Sequence, residues 1–395
     1  MIGIRKRLTT RLVPVLINCA IIPFLLLCPI EATDSGPVDT IGPVKVVPGV
    51  KFQKQYRTDY YGPNVVNILL VERTPQIRLA IGLAKSRSLG LEPLSEIARR
   101  EKAVAAVNGT FFHSSGLPLG LLVDEGVLIS APVYDRTAFI VRTDGTSSFE
   151  RVSLRMWLQL ADGSSLPVHG VNRPAKDGEC VIYNTAFGPQ TPVYPSRPEL
   201  LLQEGVVIGR GFGGTPLWPG LVVVAGDPPE QLRTLELQEP CRLMWELHLP
   251  ESDAIIPGEE VWFVLGGGPR LVTGGEVTVT ADEERFRSDV SRGRAPRTAI
   301  GLTGDGTLLL VTVDGRQPGF SVGMTLWELA ELMIELGAKE AMNLDGGAST
   351  AMVIGDQVVN IPSNGSERVL GTALLIMYET SPIGEVSEEA AATAH

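Results

Sequence analysis

The chain has 395 residues, of which 44% are hydrophobic and 20% charged. That composition excludes a disordered chain, and the length predicts one large domain or two. A formal charge of −11 argues against nucleic acid and anionic membrane surfaces as partners.

Residues 1–32 stand apart from the rest. Arg5, Lys6, Arg7 and Arg11 precede an apolar, uncharged run from Leu12 to Ile30, which polar residues then close. This pattern predicts an export signal cut near Ala32, and hence a secreted, periplasmic or cell-envelope protein. A retained N-terminal anchor is the rival, because the run is about long enough to span a bilayer. It would be the chain's one membrane contact. Beyond it remain Cys180 and Cys241, either a disulfide or two buried thiols. Four histidines, with no Cys-x-x-Cys or His-x-x-x-His, argue against a zinc site.

Residues 33–59 read as a linker and leading segment, rich in Gly, Pro and Val as far as residue 50. Val65–Val71 and Ile77–Leu83 are strand-like apolar runs. Leu91–Lys102 suits a short helix, with Leu94, Ile97 and Ala98 on one face. Ala103–Val107 is a strand that ends in Asn108-Gly109-Thr110-Phe111-Phe112-His113. Leu119–Ser130 reads as a hairpin turning at Asp124-Glu125-Gly126, and Ala138–Val141 as a further strand. In residues 150–260, prolines and glycines punctuate short apolar runs, which predicts a β-rich middle region.

From residue 261 the pattern sharpens. Val261–Leu265 leads into Gly266-Gly267-Gly268-Pro269-Arg270. Arg297–Leu302 and Leu308–Val313 flank the turn Gly304-Asp305-Gly306. Thr325 and Glu328 have capping-box spacing. Leu326, Leu329, Ala330, Met333 and Leu336 line one helical face, which Gly337 terminates. This helix should cover a sheet and carry the chain to the strand before Asp345. Residues 379–395 read as a disordered acidic tail. The expected fold is α+β: a mixed β-rich sheet core covered by a few helices, spanning residues 60–378.

Two strand ends draw attention. Asn343-Leu344-Asp345-Gly346-Gly347-Ala348-Ser349-Thr350 sets a carboxylate, two glycines and two hydroxyls after an apolar run. Asp345 can serve as nucleophile, base or counter-charge, or cap a turn. Asp314, in Val313-Asp314-Gly315-Arg316-Gln317, is a second acid/base candidate or a plain Asp-Gly turn. Arg270, Arg297, Arg316 and Arg368 lie at or near strand ends beside glycines, where guanidinium forks suit phosphate oxygens. Ser349 and Thr350 are not in a Gly-x-Ser-x-Gly elbow and would hydrogen-bond the loop. Asn108 can bind a sugar hydroxyl or fix the Gly109 turn.

Together these pieces resemble the phosphodiester glycosidase family. The similarity runs through Ala106–Phe112, Gly266–Val272, Arg297–Gly301, Val313–Gln317 and Asn343–Gly347, and closes on Asn360-Ile361-Pro362-Ser363. Two departures stand out: Ala348 where the family has a third glycine, and Thr110 where it often has glycine. The resemblance implies hydrolysis of a sugar-1-phosphate diester at the anomeric carbon. It places Asp345 and Asp314 in catalysis. It places Asn108, Gly109, Gly268, Arg270, Arg297, Thr298, Arg316, Gln317, Asn343, Gly346, Gly347, Ser349, Thr350, Ser363 and Arg368 at the substrate. The implied partner is a sugar-phosphate diester or phosphoglycan polymer. No cofactor is fixed. A divalent cation, Ca or Mg, shared by Asp314 and Asp345 belongs to a rival reading, a phosphodiesterase cutting P–O. A non-catalytic envelope-polymer binding protein is the other rival.

Overall fold

The computed structural model describes residues 38–193, 198–227, 232 and 234–379. The predicted export signal and the acidic tail from residue 380 lie outside the described residues. Among these residues no helix is long and apolar enough to cross a membrane.

The core is two sheets packed face to face, with a helix on each outer side. The first runs, in spatial order, Asp39–Val47, Val50–Asp59, Gly62–Val71, Leu308–Val313, Arg297–Thr303, Ala338–Asn343, Arg270–Thr273 and Glu276–Val277. The second runs Gln357–Val358, Met352–Ile354, Ala105–Asn108, Thr372–Tyr378 and Ile77–Leu83. Side chains alternate between sheet faces, and here both faces are apolar. Leu308, Leu310, Ile300 and Met342 point into the layer between the sheets, where they meet Val107 and Leu374. Leu309, Val311, Ala299 and Ala341 point outward and pack under the helix Leu326–Glu335. In the second sheet, Ala106, Ala373 and Leu375 face the helix Leu94–Glu101. Burial on both faces explains why these strands read as unbroken apolar runs.

The helix Leu326–Glu335 carries the predicted capping box. Thr325 accepts the Glu328 amide while Glu328 accepts the Thr325 amide. Gly337 takes a φ of +95° just past its end.

The linker expected at residues 33–59 is corrected over its described part. Asp39–Val47 and Val50–Asp59 are paired strands that extend the first sheet beyond Gly62–Val71. The β-rich middle holds a five-stranded sheet from Gly170 to Gly211 and Gly226. It also holds a 14-residue strand, Ser147–Leu160, that pairs with Arg136–Arg142 and Cys241–Leu249. Cys180 and Cys241 are both buried free thiols in one apolar cluster. The disulfide alternative is therefore not realised, and burial pushes the two thiols up to about 12 and about 11.

Candidate active site

Strand direction assembles the site. Leu308–Val313 and Ala338–Asn343 both pair antiparallel with Arg297–Thr303, so they run the same way and end at one sheet edge. Arg297 pairs with Val313, and Ala299 with Asn343. Asp314 and Asp345 therefore leave the sheet on the same side, two strands or about 10 Å of sheet apart, with Arg297 between them.

Asp345 is half-buried at the head of a tight loop. Its Oδ1 accepts the Gly346 amide at 3.0 Å, and its carboxylate takes a hydrogen bond from Ser349. Ser349 in turn accepts from Arg368 Nη1 at 3.1 Å. Arg368 also lies 5.1 Å from the Phe112 ring centroid. Burial pushes the Asp345 carboxyl up to about 6, against the opposing pull of Ser349, Arg368 and the Gly346 amide. An acid so placed is mostly ionised at neutral pH yet able to take a proton.

Asn108 clamps this loop from the second sheet. It is 1% exposed. Its Nδ2 donates to the Asp345 carbonyl at 2.7 Å, and its Oδ1 accepts from Thr298 Oγ1 at 2.7 Å and the Ala351 amide at 3.1 Å. The side chain expected at the substrate thus ties the two sheets and the loop together, as does Thr298. Replacing Asn108 with Ala strands three buried polar groups at once, which should cost about 2–4 kcal/mol. A thermal melt of Asn108→Ala within a degree of the parent would refute this clamping role.

Gly346 and Gly347 are required by close approach. A Cβ on Gly346 would lie 2.9 Å from the Pro296 carbonyl oxygen. Gly347 has a φ of +62°, and a Cβ there would lie 3.2 Å from the Arg316 guanidinium. Arg316 is exposed and reaches over Gly347, and its guanidinium makes no hydrogen bond or ion pair among the described residues. Ala348 sits in the short 3-10 turn Gly347–Ser349 without a positive φ, so this departure strains nothing.

Arg297 is used differently. Its guanidinium donates to the carbonyls of Met324, Val290 and Gly293 at 2.8–2.9 Å. Burial first, and the nearby Arg316 second, bring it down to about 10. It holds the wall of the site and adds positive field.

Asp314 is 1% exposed. One oxygen accepts the Ile361 amide at 3.1 Å, and Asn360 also bonds the carboxylate. Among the described residues its Oδ1 has no partner, and neither do the buried hydroxyls of Thr350 and Ser363. Burial pushes Asp314 up to about 6. The Asp-Gly turn reading does not hold: the chain reverses later, at Gln317–Ser321, and a Cβ on Gly315 would lie 2.7 Å from the Pro296 nitrogen and 2.9 Å from Gly323 Cα. Gln317 Nε2 donates to the Ile361 carbonyl at 3.0 Å, fastening the segment that carries Ser363. Asn360 links the two halves, accepting the Met352 amide at 2.8 Å and donating to the Thr350 carbonyl at 3.2 Å.

Four expected site residues serve the scaffold elsewhere. Arg270 Nη1 points back along the sheet to Thr273 and Glu340, at 3.4 and 3.7 Å. A Cβ on Gly268 would lie 2.3 Å from Glu284 Oε2, and its amide donates to the Asn343 carbonyl. Gly109 packs on Thr372, whose Oγ1 would lie 2.5 Å from an added Cβ. Asn343 itself is a buried strut that donates to Gly268 O at 3.1 Å. Sequence reasoning missed Glu284, fully buried and accepting from Thr137, Thr280 and the Arg270 amide. No local pattern marks it, because Thr137 lies 147 residues away. Among the described residues no group of three or more His, Cys, Asp or Glu side chains could hold a metal ion.

Comparison with known proteins follows the same lines. Residues 204–377 match the family model described as phosphodiester glycosidase. An uncharacterized SPbeta prophage-derived protein of Bacillus subtilis (strain 168) is 34% identical over 118 residues, 30% of this chain and 16% of its own length. The bovine N-acetylglucosamine-1-phosphodiester alpha-N-acetylglucosaminidase is 35% identical over 89 residues, 22% of this chain and 16% of its own length. The matched segments thus span under a fifth of either relative. A solved protein of Burkholderia pseudomallei K96243, whose name marks it as exported, has the same fold: TM-score 0.70, 20% identity, covering 88% of this chain and 99% of that one. The similarity to the phosphodiester glycosidase family, first visible in short ordered motifs, therefore holds at the level of sequence over residues 204–377.

Proposed function

We propose that this chain is an exported hydrolase that cleaves the bond between a sugar's anomeric carbon and the oxygen of a phosphodiester. The observation that carries this reading is a single loop that holds the Asp345 carboxylate beside Ser349, itself bonded by Arg368, and then passes at Gly347 under a guanidinium, that of Arg316, with no partner among the described residues. In such a reaction the C–O bond breaks, water gives its hydroxyl to the sugar and its remaining proton to the departing phosphate or to solvent, and a phosphomonoester leaves. That leaving group is a weak base and needs little protonation. It needs cationic stabilisation, which the Arg316 guanidinium over Gly347 can give. The anomeric carbon becomes oxocarbenium-like, which an ionised Asp345 can attack or balance. The buried, unpartnered Asp314 Oδ1 and the Thr350 and Ser363 hydroxyls suit recognition of polar substrate groups. The substrates in view are phosphate-linked sugars of the cell envelope or extracellular glycans.

The test is product analysis by proton and phosphorus NMR on sugar-1-phosphate diesters, including UDP-N-acetylglucosamine, with and without chelator. Free reducing sugar plus an intact phosphomonoester is expected, unaffected by chelator. Sugar-1-phosphate as product would mean P–O cleavage and overturn the reading. So would no turnover across the panel.

A further inference from the structure

The outer hairpin of the first sheet carries two aromatic rings that the core does not use. At the turn between Val50–Asp59 and Gly62–Val71, Tyr60 is 92% exposed and Tyr61 63%. Their ring centroids lie 5.2 Å apart at 86°. The turn is pinned. Asp59 Oδ1 accepts the amides of Tyr61 at 2.7 Å and Gly62 at 3.1 Å, and Oδ2 accepts from Asn64 Nδ2 at 3.0 Å. The Arg294 guanidinium stacks 3.8 Å from the Tyr61 centroid, itself held by the Gly323 carbonyl and Glu328. Trp327, beside Glu328 at the helix start, is 58% exposed. Hairpin turns form readily from Gly, Asn and Asp, so the turn itself does not call for two adjacent, solvent-facing rings. Grouped exposed aromatics of this kind mark binding surfaces.

Their place is at the active edge. The Asp314 amide donates to Val65 O and the Val322 amide to Pro63 O, both at 2.9 Å. The turn therefore projects past the edge that carries Asp314, about 13 Å beyond Val65 along the strand. Arg294, stacked on Tyr61, is three residues from Arg297 in the site wall.

We propose that Tyr60 and Tyr61 form a stacking platform for a sugar ring that lies beyond the cleaved phosphodiester, so that the substrate is a phosphate-linked saccharide chain and not a single sugar phosphate. This rests on the glycosidase reading of the Asp345 site. A pyranose presents an apolar C–H face as well as hydroxyls, and tyrosine offers a rigid amphipathic plane at small entropic cost.

The test separates binding from cleavage. The full chain and its Tyr60→Ala/Tyr61→Ala and Tyr60→Phe/Tyr61→Phe variants are titrated by calorimetry with a polymer of phosphate-linked N-acetylglucosamine, and thermal melts check folding. The alanine pair should weaken polymer binding about tenfold at unchanged melting temperature, and the phenylalanine pair should retain it. Equal polymer affinity in parent and alanine pair, or no polymer binding by the parent, overturns the platform. Tyrosine-dependent binding with no hydrolysis keeps the platform and removes the glycosidase reading. Hydrolysis with tyrosine-independent binding does the reverse.

Discussion

Replacing Asp345 with Asn should reduce turnover at least about a thousandfold while leaving the fold intact. The magnitude follows from the role: a group that attacks or balances the reacting carbon acts in the transition state, so its loss falls on kcat. Asparagine has nearly the same shape and retains an oxygen to accept the Gly346 amide and Ser349 hydroxyl. The Asn108 clamp reaches the Asp345 carbonyl, not its carboxylate, so the loop keeps its anchor. Because burial already pushes the carboxyl up to about 6, removing the charge should not lower stability at pH 7. The parent should lose activity as pH falls through about 6 and Asp345 is protonated. Kinetics of Asp345→Asn on a sugar-1-phosphate diester, with circular dichroism beside them, decide this. Activity within tenfold of the parent would take Asp345 out of the chemistry.

How much of this was legible in the sequence depends on the range of the interaction. The helix start at Thr325 was readable because its cap partner Glu328 is three residues away. The hairpin from Leu122 to Ser130 was readable because its turn is local. Asp345 and Asp314 stood out because a strand that ends in a charged turn is itself a local pattern. Which way those strands run, and so the fact that their ends share one edge, comes from pairing with Arg297–Thr303 and is not written locally. The same limit hid the work of Asn108, whose partners lie 190 to 243 residues away. Arg297 illustrates the opposite error. Its position at a strand start is right, but the carbonyls that absorb its donors belong to loops no motif announces. Asp39–Val47 was read as linker because its glycine and proline content outweighed its alternation. Ser147–Leu160 is hard to read from the sequence although Met156, Leu158 and Leu160 alternate into the core, because the apolar Trp157 between them breaks the apolar–polar alternation.

Asp314→Asn should stabilise the protein above pH 6 while lowering its activity about a hundredfold. Burial raises the Asp314 carboxyl from 3.8 to about 6 in the folded chain. An acid with a higher folded than unfolded value holds its proton more tightly when folded. Between about pH 4 and 6 the native state therefore binds more protons, and stability falls as pH rises. Above that window the deficit is complete, of the order of 3 kcal/mol for a shift of about two units. The structural origin is visible: Asp314 is 1% exposed, and one of its oxygens has no partner among the described residues. Asparagine carries no charge to desolvate and keeps an acceptor for the Ile361 amide. Melting temperatures should thus rise at pH 8 and stay nearly unchanged at pH 4. A destabilised variant at pH 8, or an equal shift at both values, would mean that Asp314 acts through its bonds to Ile361 and Asn360 and not through a costly charge. A buried charge retained at that cost is what a catalytic or substrate-binding acid requires, so the activity of the same variant completes the argument: a more stable protein with parental kcat/KM would leave Asp314 without a function to account for its burial.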